Sequence, residues 1–162
     1  MNAAPIPHNE ETRLNALRNL NILNTERQEE FDALTEMVSQ MIDVPFSALT
    51  LIDENTQYIK SEAGGGYGVK ETRRDESFCQ HTIMQDAIFE VNDALEHNLF
   101  KNSPFVVGGP KIRFYAGATL KSSDGFNLGA LCVLDSKPRK LTDEHREVLC
   151  EYAKQVIQMI EN

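Results

Sequence analysis

An α+β domain organised around an antiparallel sheet is what this sequence predicts, and three observations carry the expectation. Helical apolar periodicity is confined to the two ends of the chain, within residues 9–42 and 142–161. The middle holds β-rich runs that mostly meet through short turns, which favours antiparallel pairing. The chain has 162 residues, 41% of them hydrophobic, enough for one domain with a substantial core.

Residues 1–8 read as a disordered tail and 9–162 as a single domain. Asn9-Glu10-Glu11 opens a first helix with Leu14, Leu17 and Leu20 at helical spacing and acidic residues where the helix dipole favours them. Asn21 and Asn24 bracket a turn. Thr25-Glu26-Arg27-Gln28 fits a capping box for a second helix, whose stripe is Phe31, Leu34, Val38, Met41 and Ile42 and which stops before Pro45. Strands are expected at 46–52 and 57–62, joined through Asp53-Glu54-Asn55. The glycines of 63–74 read as a loop. Asp75 or Ser77 then caps a short helix reaching about Met84.

Ile88–Val91 reads as a strand and 92–110 as a long connection with one helical turn. Two further β-rich runs, 112–120 and 126–134, flank Asp124-Gly125, a hairpin signal. Gly117 and Gly129 interrupt them, which marks a bulge or a close approach by a ligand or neighbouring backbone. Thr142 caps a last helix with a wide apolar stripe from Val148 to Ile160.

The net charge of −9 repels phosphate backbones and anionic lipid, so neither nucleic acid nor membrane is an expected partner. No apolar run approaches a bilayer span, and the N-terminus lacks the features of a signal peptide. The expected location is cytoplasmic. Cys79, Cys132 and Cys150 are too few and too scattered for a disulfide framework or a structural zinc site.

The densest chemistry lies in Arg73-Arg74-Asp75-Glu76-Ser77-Phe78-Cys79-Gln80-His81. Cations, carboxylates, a hydroxyl, a ring, a thiol and an imidazole share nine consecutive positions directly after the glycine-rich loop. Such a run is either a reactive site or the polar rim of a pocket.

That run, together with 110–118 (Pro-Lys-Ile-Arg-Phe-Tyr-Ala-Gly-Ala) and 128–135 (Leu-Gly-Ala-Leu-Cys-Val-Leu-Asp), resembles GAF domains, of the kind found in bacterial sensor histidine kinases and diguanylate cyclases. Arg13–Thr25 and Val44–Asp53 are similar to the same variety, so the resemblance covers residues 10–160 in order. It implies a six-stranded antiparallel sheet, with the N- and C-terminal helices on one face and a pocket roofed by loops and short helices on the other. It also implies a sensory domain that binds a small molecule, pairs as a homodimer through its first and last helices, and signals to a downstream protein. On this basis Arg73, Asp75, Ser77, Phe78, Cys79, His81, Arg113 and Tyr115 are the expected ligand-binding residues. Neither a cofactor nor a ligand is named by the sequence, and the expectation is of a protein that is not an enzyme.

Three sharper readings compete with this one. A thiol-dependent reductase of free methionine sulfoxide is the alternative, with Cys79 as nucleophile. It needs a resolving thiol, and residues 92–111 hold none, while Cys132 reads as a packed strand residue. A metal or haem on Cys79 and His81 is disfavoured because residues two apart on a helix point apart. Neither the cyclic-nucleotide pattern nor the adjacent Cys-His pair of bilin-binding members is present. A small anion on Arg73, Arg74 or Arg113 competes with plain ion pairing to Asp75, Glu76 or Asp93.

Overall fold

The computed structural model describes residues 3–23, 25, 26 and 28–161. Helices α1 (Glu10–Asn19) and α2 (Glu29–Ile42) lead into strands β1 (Phe46–Ile52) and β2 (Thr56–Ala63). The short β3 (Glu71–Arg73) is followed by the single turn α3 (Cys79–Thr82), β4 (Ile88–Val91) and a second single turn, α4 (Pro104–Val107). Strands β5 (Phe114–Lys121) and β6 (Asn127–Asp135) and the long α5 (Asp143–Glu161) complete the chain. The strands form one six-stranded sheet in the order β3-β2-β1-β6-β5-β4, antiparallel throughout. The predicted α+β class and sheet are what the structure has.

Alternation along the strands sends side chains to two cores. On one face Leu49, Leu51, Phe114, Leu131 and Val133 pack beneath Phe31 and Val38 of α2 and Leu149 and Val156 of α5. On the other, Ala48, Ile52, Tyr115, Cys132 and Leu134 meet Phe78, Ile83, Phe100 and Val106 from the long connections. Two bulges shift the alternation. Leu128 is the extra residue between the pairs Leu120–Gly129 and Lys121–Asn127, which lets it join the helix-side core. Lys60 is the extra residue between Leu49–Ser61 and Thr50–Ile59, and its Nζ donates to Thr25 O and Oγ1 at 2.9 and 3.0 Å.

Several local expectations are corrected. Part of the stretch read as loop forms β3, which pairs with Thr56–Tyr58 at the sheet edge. The capping box at Thr25 does not operate: α2 starts at Glu29 after Gln28, and Thr25 Oγ1 donates to Ile22 O. Asn24 and Arg27, which belonged to those readings, lie outside the described residues. Ser77 rather than Asp75 caps the turn before α3, accepting from Gln80 N at 3.1 Å. Within the stretch read as a tail, Ala4 is buried and its N–H donates to Gln80 Oε1. Thr142 does cap α5, accepting from His145 N at 3.1 Å, and His145 Nδ1 accepts from Thr142 N in return.

An unforeseen ion cluster anchors α1. Arg13 is 1% exposed and donates to Ile52 O, Asn127 O and Glu10 Oε1. Arg74, also buried, reaches Glu10 Oε2 from below and donates to Asp53 O and Glu54 O. One carboxylate thus ties the first helix to the β1–β2 turn and to the segment before α3.

Candidate functional site

The sheet face opposite the helices is roofed by 64–68, α3, the 92–103 connection and α4, and this roof is where the site residues gather. A stack of rings forms its centre. Phe78 lies between Phe100 (4.6 Å, 21°) and Tyr115 (5.0 Å, 15°), and none of the three is exposed. Face-to-face offset packing of this kind adds to the burial energy of the rings. Tyr115 extends along β5 over Gly117, where a Cβ would fall 2.3 Å from the tyrosine hydroxyl. That hydroxyl lies 2.7 Å from Thr82 Oγ1 and 3.1 Å from Cys79 Sγ, both on α3. Sheet and roof are therefore joined by a polar contact at the centre of an apolar core.

The glycine-rich loop contributes the lid. Tyr67 turns its ring inward against Phe105 (5.4 Å, edge-on), and its hydroxyl is fully buried. Glu62 holds the loop, accepting from Tyr67 N and Gly68 N at 3.1 Å each. Only glycine fits at position 64, where φ is +86° and a Cβ would sit 1.9 Å from Pro45 O. With Tyr67 in place the remaining cavity is about 10 Å³, lined by Tyr67, Phe78, Phe105, Pro110, Ile112 and Leu134. Beside Tyr67 Oη lies Gln57, and neither that oxygen nor Gln57 Oε1 has a hydrogen-bond partner among the described residues. Burial pushes the Tyr67 phenol well above its usual range.

The expected ligand-binding residues divide. Phe78, Cys79, His81 and Tyr115 come together in the roofed core. His81 faces Phe100 and Phe89 (5.0 and 6.0 Å), whereas Cys79 faces Tyr115, so the thiol and the imidazole diverge as helical spacing requires. Ser77 is buried but serves the backbone, donating to Arg74 O. Arg73 and Asp75 pair with each other at 2.6 and 3.0 Å on the exposed β3 edge, away from the cavity. Arg113 donates to Val106 O and Ile112 O, bracing α4. The arginines are thus consumed by ion pairs and carbonyls, which removes the geometric support for an anion held by them.

Sequence reasoning missed Tyr67, and read Cys132 correctly as a packed strand residue, which the structure buries in the roofed core. An aromatic residue set among Gly64, Gly65, Gly66 and Gly68 was the available signal for Tyr67. The Cys132 thiol donates to Ala48 O at 3.5 Å across the β1–β6 pair.

The family model of the GAF domain matches residues 26–160. The chain is 32% identical, over 94% of its length, to a protein of Pseudomonas aeruginosa named a cyclic di-GMP phosphodiesterase, and spans 26% of that relative. That finding corrects the expectation of a protein that is not an enzyme, because a relative this similar carries an enzyme's name. Among solved structures, the GAF domain of an Acinetobacter phosphoenolpyruvate-protein phosphotransferase superposes with a TM-score of 0.67 at 15% identity, covering 93% of both chains. A type II free methionine-R-sulfoxide reductase of Thermoplasma acidophilum reaches 0.68 at 10% identity, covering 82% of this chain and 90% of its own. At those identities the two structures speak for the fold alone. No helix among the described residues is long and apolar enough to cross a membrane. From the extent of the family match, the sheet order and the roofed second core, the chain belongs to the GAF domain family.

Proposed function

We propose that the chain is a small-molecule-binding regulatory domain of bacterial signal transduction, with its ligand seated between the sheet and the roof. The similarity to a phosphodiesterase makes cyclic di-GMP turnover the signalling context, with the regulated activity carried by a longer protein. The observation that carries the binding reading is Tyr67. Its side chain fills the roofed space from a loop flanked by glycines, and two buried oxygens there, Tyr67 Oη and Gln57 Oε1, have no hydrogen-bond partner among the described residues. Native cores seldom leave such groups unpaired without a reason. A ligand that enters as Tyr67 swings out would satisfy the amide oxygen and use Phe78, Phe105, Ile112 and Leu134 as its apolar walls.

Truncating the plug tests this. Tyr67→Ala should lower stability by about 2 kcal/mol and open an apolar cavity able to take a small aromatic. Phenol at millimolar concentration should then raise its thermal midpoint and leave that of Gly125→Ala, altered at a distant hairpin, unmoved. If phenol fails to stabilise Tyr67→Ala, the roofed space is not a ligand site.

Pairing of two copies belongs to the same reading. The α5 stripe is only partly used by the sheet, since Val148, Tyr152 and Met159 stay half-buried beside the exposed Met37 and Met41 of α2. Sedimentation should show a concentration-dependent dimer that the double substitution Met37→Lys, Met41→Lys dissociates. A monomer at all micromolar concentrations would count against it.

A further inference from the structure

We propose that the groove beside β2 is a second ligand site, which takes a small monocarboxylate with an apolar body and seats its carboxylate on the Lys60 ammonium. The groove measures about 730 Å³, within the usual range for small-molecule sites. It runs between the segment before α2, which supplies Leu23 and Thr25, and β2 with the stretch leading into β3. It shares no lining residue with the cavity under the roof. The two sites are therefore tested separately.

Lys60 carries the proposal. It is the extra residue of the β1–β2 bulge, lines the groove and is only 6% exposed. A lysine ammonium has three donors. Here Nζ spends two of them on Thr25 O and Oγ1, both neutral groups, and among the described residues no carboxylate pairs with it. The bonds to Thr25 hold the segment before α2 against the sheet, but they leave the charge uncompensated. A buried ammonium without a counter-charge is costly, and burial holds the Lys60 pKa below its usual range. An anion entering the groove would meet the remaining donor and supply the missing charge.

The rest of the lining selects the kind of anion. Leu23, Ile59 and Val69 give the groove apolar walls, and Val69 leaves half of its surface open. The other charges around Lys60 come from each neighbouring segment: Glu26 before α2, Glu62 on β2, and Lys70 and Glu71 at β3. Asp32 of α2 is turned to Ser61 Oγ, and Glu62 accepts from Tyr67 N and Gly68 N. Glu26 and Glu71 are exposed, so water and salt screen them. They nevertheless oppose a second negative charge at the rim, which disfavours a phosphate dianion or a dicarboxylate. One carboxylate on the ammonium makes a charge-assisted hydrogen bond, while a short carbon chain lies along the apolar walls.

The test is an amide chemical-shift titration of the isotope-labelled full chain at neutral pH, with sodium chloride at equal ionic strength as the blank. The probe is sodium 4-methylpentanoate at millimolar concentration, and 3-methylbutylamine, a similar carbon chain carrying the opposite charge, is the control. The expected result is a saturable shift at residues 58–62 and 69–71 with the carboxylate and none there with the amine. Lys60→Met, which keeps an apolar stem but no charge, should weaken binding by about tenfold or more. The proposal is overturned if the carboxylate gives no saturable shift at those residues, if the amine shifts them equally, or if Lys60→Met binds as well as the wild type. Shifts confined to 78–83 and 105–112 would also overturn it, since they would place the probe under the roof instead. The comparison of the two probes on the wild type decides the matter even where Lys60→Met does not fold.

Discussion

Replacing Glu10 with alanine should destabilise the fold by about 3 kcal/mol, at the low end for breaking a buried ion pair because the carboxylate keeps some contact with solvent. The physical cause is what remains behind. Arg13 and Arg74 have side chains only 1% and 7% exposed, and without the carboxylate they become two neighbouring buried cations. Their bonds to Ile52 O, Asp53 O and Glu54 O do not neutralise that charge. Urea unfolding should show a lower midpoint with an unchanged slope, the signature of lost stability rather than altered compactness. A loss below about 1 kcal/mol, the range of exposed pairs, would show that the cluster does not anchor α1.

The same cluster sets a pH dependence. Burial raises the Glu10 pKa, but the hydrogen bonds and charges of Arg13 and Arg74 outweigh it, so the folded-state value lies below the usual 4.5. A depressed carboxyl contributes stability that is fully present above the unfolded-state pKa and lost as pH falls through the folded-state value. The wild type should therefore lose stability on acidification below pH 4.5 more steeply than Glu10→Gln, which has no proton to take up. Parallel curves for the two proteins would remove Glu10 from the account.

Gly129→Ala should be the other severe change, costing about 3 kcal/mol, at the upper end for overpacking, or abolishing folding. Its Cβ would fall 2.0 Å from Thr50 O and 2.8 Å from Leu51 Cα, both main-chain atoms of the neighbouring β1. Because β1 and β6 are the two central strands, neither can move aside without shifting the pairs on its outer side. A flexible side chain could rotate away; a backbone carbonyl in a ladder cannot. Gly125→Ala is the comparator, since that glycine has φ +90° but nothing within 4 Å of a Cβ. It should cost only the strain of a left-handed residue, about 1 kcal/mol. Equal losses at the two positions would show that conformation and not space governs Gly129.

The glycine reading illustrates what was legible in the chain. An interrupted β-rich run reads as a bulge or a close approach by a ligand or neighbouring backbone; the structure places main chain against Gly129, while at Gly117 the close group is a side chain, the Tyr115 hydroxyl. Helix α2 ends at Ile42, before Pro45, with Asp43 in the left-handed region at φ 59°. Strand β4 occupies the stretch read for it, and Thr142 caps α5. These features depend on residues within a few positions of each other, so local composition carries them.

The site was less legible, for the same reason inverted. Of the run Arg73–His81, sequence identified the polar density but not its destinations. Arg74 turns away to Glu10, 64 residues back, while Cys79 turns inward to Tyr115. The short β3 escaped notice because an edge strand of three residues owes its existence to its partner β2 rather than to its own propensity.

Periodicity and turn chemistry were enough to specify the α+β class and the antiparallel order of elements, because alternation and helical spacing are written residue by residue along the chain, while the family resemblance rested on particular runs such as 73–81 and 128–135. Which side chains meet was another matter. The carboxylate between two buried arginines, the tyrosine that fills the roofed space and the Cys79 thiol against the Tyr115 hydroxyl are contacts between elements brought together by the sheet. Their partners lie dozens of residues apart, and no local pattern encodes an encounter that exists only after the two faces of the sheet have been covered.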